Sequence, residues 1–237
     1  KTKFIGKWLT TFREFEPADP VNERFENMGY STLFDLSGKT ALVTGARKGI
    51  GFAMASVLAE FGADIIAVSS QQSPEDELAK IVKGHGRKFE SFAVDLRNRD
   101  ETKSLISKVV DRPIDILVNN AALRRHATFS ELDYASWKEV IETILDGAYL
   151  CSHAALPYLK KSSCASIVFM GGLSGHTGSK DRAHVVTAKM GLVGLTKALA
   201  HDLSEFGINV NCVVPGLIDT VRGESAGKGA PEHHRKN

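Results

Sequence analysis

From Lys39 onward, short runs of β-branched and other apolar residues alternate with stretches whose apolar positions recur at helical spacing. Such alternation suits strands laid side by side in parallel, each return passing through a helix. Six strands are predicted, over Thr40–Thr44, Asp64–Val68, Lys88–Ala93, Ile114–Val118, Ala165–Met170 and Asn209–Val214. Each is apolar enough to predict burial on both faces. Helices are predicted between them, over Phe52–Phe61 and, at greater length, over Trp137–Lys160 and Val185–Phe206. The expected fold class is α/β: a doubly wound parallel sheet, or Rossmann fold, of at least six strands.

Residues 1–38 break this rhythm. They mix aromatic and charged residues with Pro17 and Pro20 and have no long period, so they read as an N-terminal extension with a short helix at its start and aromatics for docking. Residues 39–237 are expected to form one domain built on the strand–helix alternation. With 43% hydrophobic residues and a net charge of +2, the chain can build one large core. Basic and acidic residues number 30 and 28, a near-balance that gives no field for nucleic acid or a membrane surface, and neither partner is expected. No apolar stretch reaches the length of a membrane span and the start lacks a secretory core, so a cytoplasmic location is expected. Cys151, Cys164 and Cys212 lie in apolar runs without metal-like or redox-pair spacing, and are expected to be buried free thiols. No metal site is expected.

Chemistry enters with the turn Thr44-Gly45-Ala46-Arg47-Lys48-Gly49-Ile50-Gly51 after the first strand. Glycines there let the backbone turn tightly and approach a pyrophosphate, and the helix that follows presents unpaired N–H groups to the anion. A glycine-rich turn also occurs without any ligand; its place between strand and helix is what carries weight here.

On this turn, and on Asp95-Leu96, Asn119-Asn120-Ala121-Ala122, Lys189, and Pro215-Gly216 with Ile218 and Thr220, the chain resembles the short-chain dehydrogenase/reductase family from about Lys39 to Thr220. Within that family it resembles members of the 3-oxoacyl-ACP-reductase type. The resemblance implies a nicotinamide cofactor held by Gly45, Arg47, Lys48, Gly49, Ile50 and Gly51. It further implies contacts from Ser69, from Asp95 and Leu96 at adenine, from Asn119 and Ala121 beside the central sheet, from Lys189, and from Pro215, Gly216, Ile218 and Thr220 along the nicotinamide half. It also implies an oligomer, homomeric or formed with another subunit of the family, and a small carbonyl or alcohol substrate.

Charge indicates which nicotinamide cofactor. The form with a free 2′-hydroxyl calls for an acid at the end of the second strand, and the 2′-phosphate form calls for cations. That strand ends Ala67-Val68-Ser69-Ser70-Gln71, with no carboxylate before Glu75, while Arg47 and Lys48 sit in the turn. NADP(H) is the expected cofactor, with NAD(H) as the alternative.

The family's proton chemistry is largely missing. Its Tyr and Lys stand at i and i+4 on one helix face, so that the lysine cation can lower the tyrosine pKa; counting back from Lys189 gives Val185. Its Ser after the fifth strand falls on Gly172, and its water-holding Asn on Ile144. Lys189 alone of the four survives. His184 and Ser174 are the candidate substitutes. His184, however, is turned about 100° from the Val185 face of a regular helix, which favours a loop or interface role. The final helix and seventh strand of the family are expected to be missing, and the extension, or a second chain, to cover the apolar surface left open. Two readings follow: an NADP(H)-linked oxidoreductase of unusual mechanism, and a catalytically degenerate subunit that binds cofactor or pairs with an active partner.

Overall fold

The computed structural model describes residues 34–71, 77–109 and 112–218. The extension over 1–33, the stretch 219–237 and Thr220 within it lie outside the described residues. Strands β1 (Thr40–Thr44), β2 (Asp64–Ser69), β3 (Phe89–Ala93), β4 (Ile116–Asn119), β5 (Ser166–Met170) and β6 (Asn209–Val213) form one sheet in the order β3-β2-β1-β4-β5-β6. All neighbouring strands run parallel. The order reverses direction between β1 and β4, and a crevice opens beyond the carboxyl ends of the strands at such a switch point.

Helices cover both faces. Along each strand alternate side chains point to opposite sides. Ala41 and Val43 of β1 pack with Ala55 and Ala59 of α1 (Gly49–Glu60) and with Leu78 and Val82 of α2 (Glu77–Gly84). Leu42, between them, faces a larger core. That core is built with α3 (Arg99–Val109), α4 (Tyr134–Ile141), α5 (Gly147–Leu159) and α7 (Ala183–Asp202). The short helix α6 (Leu173–Thr177) follows β5, and a 3-10 turn at Ser204–Phe206 follows α7.

The doubly wound sheet is as expected, with four corrections. Burial on both faces holds for β1 but fails for β3, whose residues are all half-buried or exposed, and for β6, where Val210 alone is buried; these two strands are the edges of the described sheet, with only one neighbour each. The predicted helix over Trp137–Lys160 begins earlier, where the Asp133 carboxylate accepts from Ser136 N–H at 2.7 Å, and it contains a π-helical turn at Glu142–Asp146. The predicted helix from Val185 likewise begins at Ala183 and takes in His184. Of the cysteines only Cys151 is buried; Cys212 is half-buried on β6 and Cys164 is exposed in the turn before β5.

Candidate functional site

The turn after β1 is held from below by β4. Thr44 Oγ1 accepts from the N–H groups of Asn120 and Ala121, both at 3.0 Å, and donates to Val118 O. Asn120 Nδ2 donates in turn to Thr44 O at 3.0 Å and Gly45 O at 3.2 Å. The segment after β4 is thereby tied against the glycine-rich turn. Gly45 and Gly49 have φ of 68° and 60°, in the left-handed region that glycine enters without strain. A Cβ on Gly51 would lie 2.4 Å from both Gly45 O and Asn120 Nδ2, so only glycine lets α1 start this close to β1. Lys48 precedes α1 in an extended conformation, and among the described residues no side chain caps the helix start. The first-turn N–H groups are then available to an anion. Arg47, Lys48 and Gly49 are exposed and Ile50 is half-buried.

Other sequence-derived positions lie at the same carboxyl rim. Ser69 ends β2, and its carbonyl accepts from Val94 N–H at 2.9 Å. Asp95 is engaged by Arg97, whose guanidinium approaches the carboxylate to 2.6 Å and, by hydrogen bonding, holds its pKa below the ordinary value. Leu96 is buried beside Gly147. Asn119 is buried and donates to Ser152 Oγ at 3.0 Å, while its Oδ1 has no hydrogen-bond partner among the described residues. Ala121 is the neighbour that a Cβ on Gly45 would strike, at 2.9 Å. Pro215 O accepts from Leu173 N–H at 3.1 Å, which brings the loop with Gly216 and Ile218 to the start of α6.

On the far side of the crevice Lys189 Nζ donates to Met170 O at the end of β5. Burial, reinforced by the Arg124 charge and opposed by Cys212, pushes its pKa down to about 8. A Cβ on Gly172 would lie 3.8 Å from Lys189 Cγ and 3.9 Å from Ser174 Oγ, both ordinary contacts. Lys189, Gly172 and Ser174 therefore converge. Val185 and Ile144, at 4% and 1% exposure, belong to the larger core and carry no proton. His184 is not in a loop, contrary to expectation: it is inside α7 at 0% exposure, and neither ring nitrogen has a hydrogen-bond partner among the described residues. Burial, followed by the charges of Arg182, His126 and Arg125, lowers its pKa.

Two features escaped the sequence. Thr44 and Asn120 stood inside motifs, but their cross-strand hydrogen bonds depend on the pairing of β1 with β4. The basic run Arg124-Arg125-His126 was visible as a charge cluster, yet nothing in the pattern showed that it would fold toward α7. Among the described residues no group of side chains could hold a metal, and no helix is long and apolar enough to cross a membrane.

The short chain dehydrogenase family model matches residues 39–230. The 3-oxoacyl-acyl-carrier-protein reductase FabG of Thermotoga maritima is 34% identical over 187 residues, which are 78% of this chain and 76% of the relative. Its Staphylococcus aureus counterpart is 36% identical over 184 residues, 76% of this chain and 74% of the relative. Among solved structures, a Sinorhizobium meliloti 1021 protein described as a short-chain alcohol dehydrogenase superposes with a TM-score of 0.76 at 33% identity, covering 79% of this chain and 75% of its own. Carveol dehydrogenase from Mycobacterium avium, solved with NAD, gives 0.72 at 31% identity over 76% and 71%. A parallel sheet with its glycine turn at the switch point, matched across the described domain by these relatives, means that the chain belongs to the short-chain dehydrogenase family of oxidoreductases.

Proposed function

We propose that the chain binds NADP(H) at the carboxyl rim of its sheet and interconverts a small carbonyl compound and the corresponding alcohol, with Lys189 as the group that carries the proton. The single observation behind this reading is Lys189 itself. It is held at Met170 O beside Gly172 and Ser174, with a pKa lowered to about 8, and an amine in that range can give or take a proton near neutral pH.

The residues present fit the cofactor. The open N-terminus of α1 and the Gly45–Gly51 backbone suit a pyrophosphate. Arg47 and Lys48 suit a 2′-phosphate, and the absence of an acid at Ser69 favours that form over NAD(H). Leu96 and Asp95 would flank adenine, Asn119 and Ala121 the middle of the cofactor, and Pro215, Gly216, Ile218 and Thr220 its nicotinamide half. When bound, the reduced cofactor supplies the hydride for the carbonyl carbon. The Lys189 ammonium then gives its proton to the carbonyl oxygen, and the Ser174 hydroxyl is the side-chain donor near enough to orient that oxygen. His184 acts here only after leaving its buried position. An oligomer of this chain, or with a sister subunit, and a cytoplasmic setting accord with the reading.

A second reading is favoured by Val185, Ile144 and Gly172, which replace three proton-handling side chains with groups that cannot donate. A positioned acid is worth roughly 10² to 10⁴ in rate. On this reading the chain keeps the cofactor site and serves as a binding or partner subunit. NADPH fluorescence and NADPH oxidation over a panel of small ketones and aldehydes separate the two. Binding with turnover that Lys189→Met abolishes is expected; binding without turnover selects the second reading, and no binding of NADPH or NADH removes both.

A further inference from the structure

Lys189 stands on α7 with its Nζ donating to Met170 O, which is the one side-chain hydrogen bond it makes among the described residues. No carboxylate forms an ion pair with it among those residues. One turn earlier on the same helix face is Val185, at 4% exposure, which offers neither charge nor hydrogen bond. A lysine cation is ordinarily surrounded by water or paired with an anion, and losing both favours the neutral amine. The lowered pKa of about 8, caused first by burial, agrees with this placement. A neutral amine still donates one N–H to Met170 O, and its lone pair then points away from that carbonyl.

Room for a second molecule lies beside the lysine stem. Lys189 is half-buried, not sealed in the core. A Cβ on Gly172 would find only Lys189 Cγ, at 3.8 Å, and Ser174 Oγ, at 3.9 Å, within 4 Å. The space between the stem and the serine hydroxyl is thus left open by a residue without a side chain. A lysine amine freed of its charge in an apolar setting attacks carbonyl carbon.

We infer that Lys189 is also a carbonyl-capturing nucleophile, whose amine condenses with a small aldehyde or ketone to form an imine, an activity separate from hydride transfer. The nitrogen lone pair forms the C–N bond while the carbonyl π pair moves to oxygen, which takes one proton from nitrogen. The resulting hydroxyl then leaves as water with the second nitrogen proton as the C=N bond forms, so the step needs no oxidant or reductant. Ser174 Oγ flanks the position and can pass these protons. The ammonium is the acid of the reading above and the amine is the nucleophile: one residue in two protonation states. From that reading the inference takes only the carbonyl class of ligand.

Acetone and sodium cyanoborohydride, added to the full chain at about pH 7.5 without cofactor, test it, because reduction fixes the imine as an isopropyl group that peptide mass mapping locates. An amine with a pKa of about 8 is neutral roughly a hundredfold more often at that pH than an ordinary lysine. Lys189 should therefore be alkylated roughly tenfold or more faster than any other lysine. That ratio should shrink toward unity near pH 10 and in the urea-unfolded chain. Because the unmodified chain is mapped, no variant has to fold. Labelling of Lys189 no faster than that of exposed lysines, or a preference that survives unfolding, would overturn the inference even where NADPH is bound and oxidised. Fast labelling of Lys189 in a chain that leaves NADPH untouched would support the inference and remove the reductase reading alone.

Discussion

Asn120, just after β4, and Gly51, in the first turn of α1, are so close that the Asn120 amide nitrogen would stand 2.4 Å from any Cβ placed on Gly51. The same nitrogen donates to the carbonyls of Thr44 and Gly45, so it cannot yield without opening the turn. Gly51→Ala should therefore cost about 1–3 kcal/mol through overpacking and should abolish NADPH binding, measured by urea unfolding and by fluorescence titration. An alanine variant that binds NADPH as the unmodified chain does would show that the turn is not the phosphate site.

Thr44 is the other half of this latch. Its buried hydroxyl receives two backbone N–H groups, and Thr44→Val keeps the shape while orphaning both. Each buried unsatisfied donor costs about 1–3 kcal/mol, so a loss of roughly 2–6 kcal/mol is expected in urea unfolding. Thr44→Ser, which keeps the acceptor, should recover most of it.

Lys189 makes a pH prediction with a definite sign. Its pKa falls from 10.5 to about 8 on folding, so between those values the unfolded chain binds more protons and stability rises with pH. The destabilisation is fully present below about 8 and is relieved as pH climbs toward 10.5. Lys189→Met should remove that slope and stabilise the chain at neutral pH by about 1–3 kcal/mol, measured by thermal or urea unfolding at pH 7 and pH 10. Carbonyl reduction, if Lys189 is the acid, should decline as pH rises through about 8.

Gly172 has the extended φ of 175°, and a side chain there would meet only ordinary contacts. Gly172→Ser should change stability by less than about 0.5 kcal/mol. Val185→Tyr enlarges a side chain already packed in the core and should cost about 1–3 kcal/mol. Any gain in NADPH oxidation is expected only when both are present, since hydroxyl donors that act as a unit are not additive. A rate gain from Gly172→Ser alone would show that Lys189 already suffices as the proton carrier.

The central strands were legible because a run such as Ala41-Leu42-Val43 is apolar without a break, and only a two-sided core accommodates that. The glycine turn was legible because its residues are demanded by local backbone geometry. Edge position was misread: Phe89–Ala93 carries Glu90 and Ser91, and Asn209–Val213 sets Asn209 and Asn211 between apolar residues, a signal of one-sided exposure that the expectation of two-sided burial passed over. Cys164 was misjudged for the same reason, since Ala165 beside it is buried while the thiol points outward from the turn. Nor could the influence of the Arg124 charge on Lys189 be read, because the segment after β4 meets the residues ahead of α7 only through the fold.

The π-helical turn at Glu142–Asp146 has a mechanical meaning for the segments that α5 supports after β3 and at the end of β4. Gly147 N–H reaches back to Glu142 O, so the helix accommodates one surplus residue. Removing a single residue there would restore regular winding and leave α5 on its present face, whereas removing one from the regular turns of α4 would swing everything downstream by about 100°. Ser152 would turn away from Asn119, and the smooth flank on which Gly147 admits Leu96 would be replaced by a bulkier one. A one-residue deletion within an exposed loop is absorbed locally, whereas in α4 it would unseat two strand ends at once, so the π-helical turn is where that helix can shorten by one residue and keep both contacts.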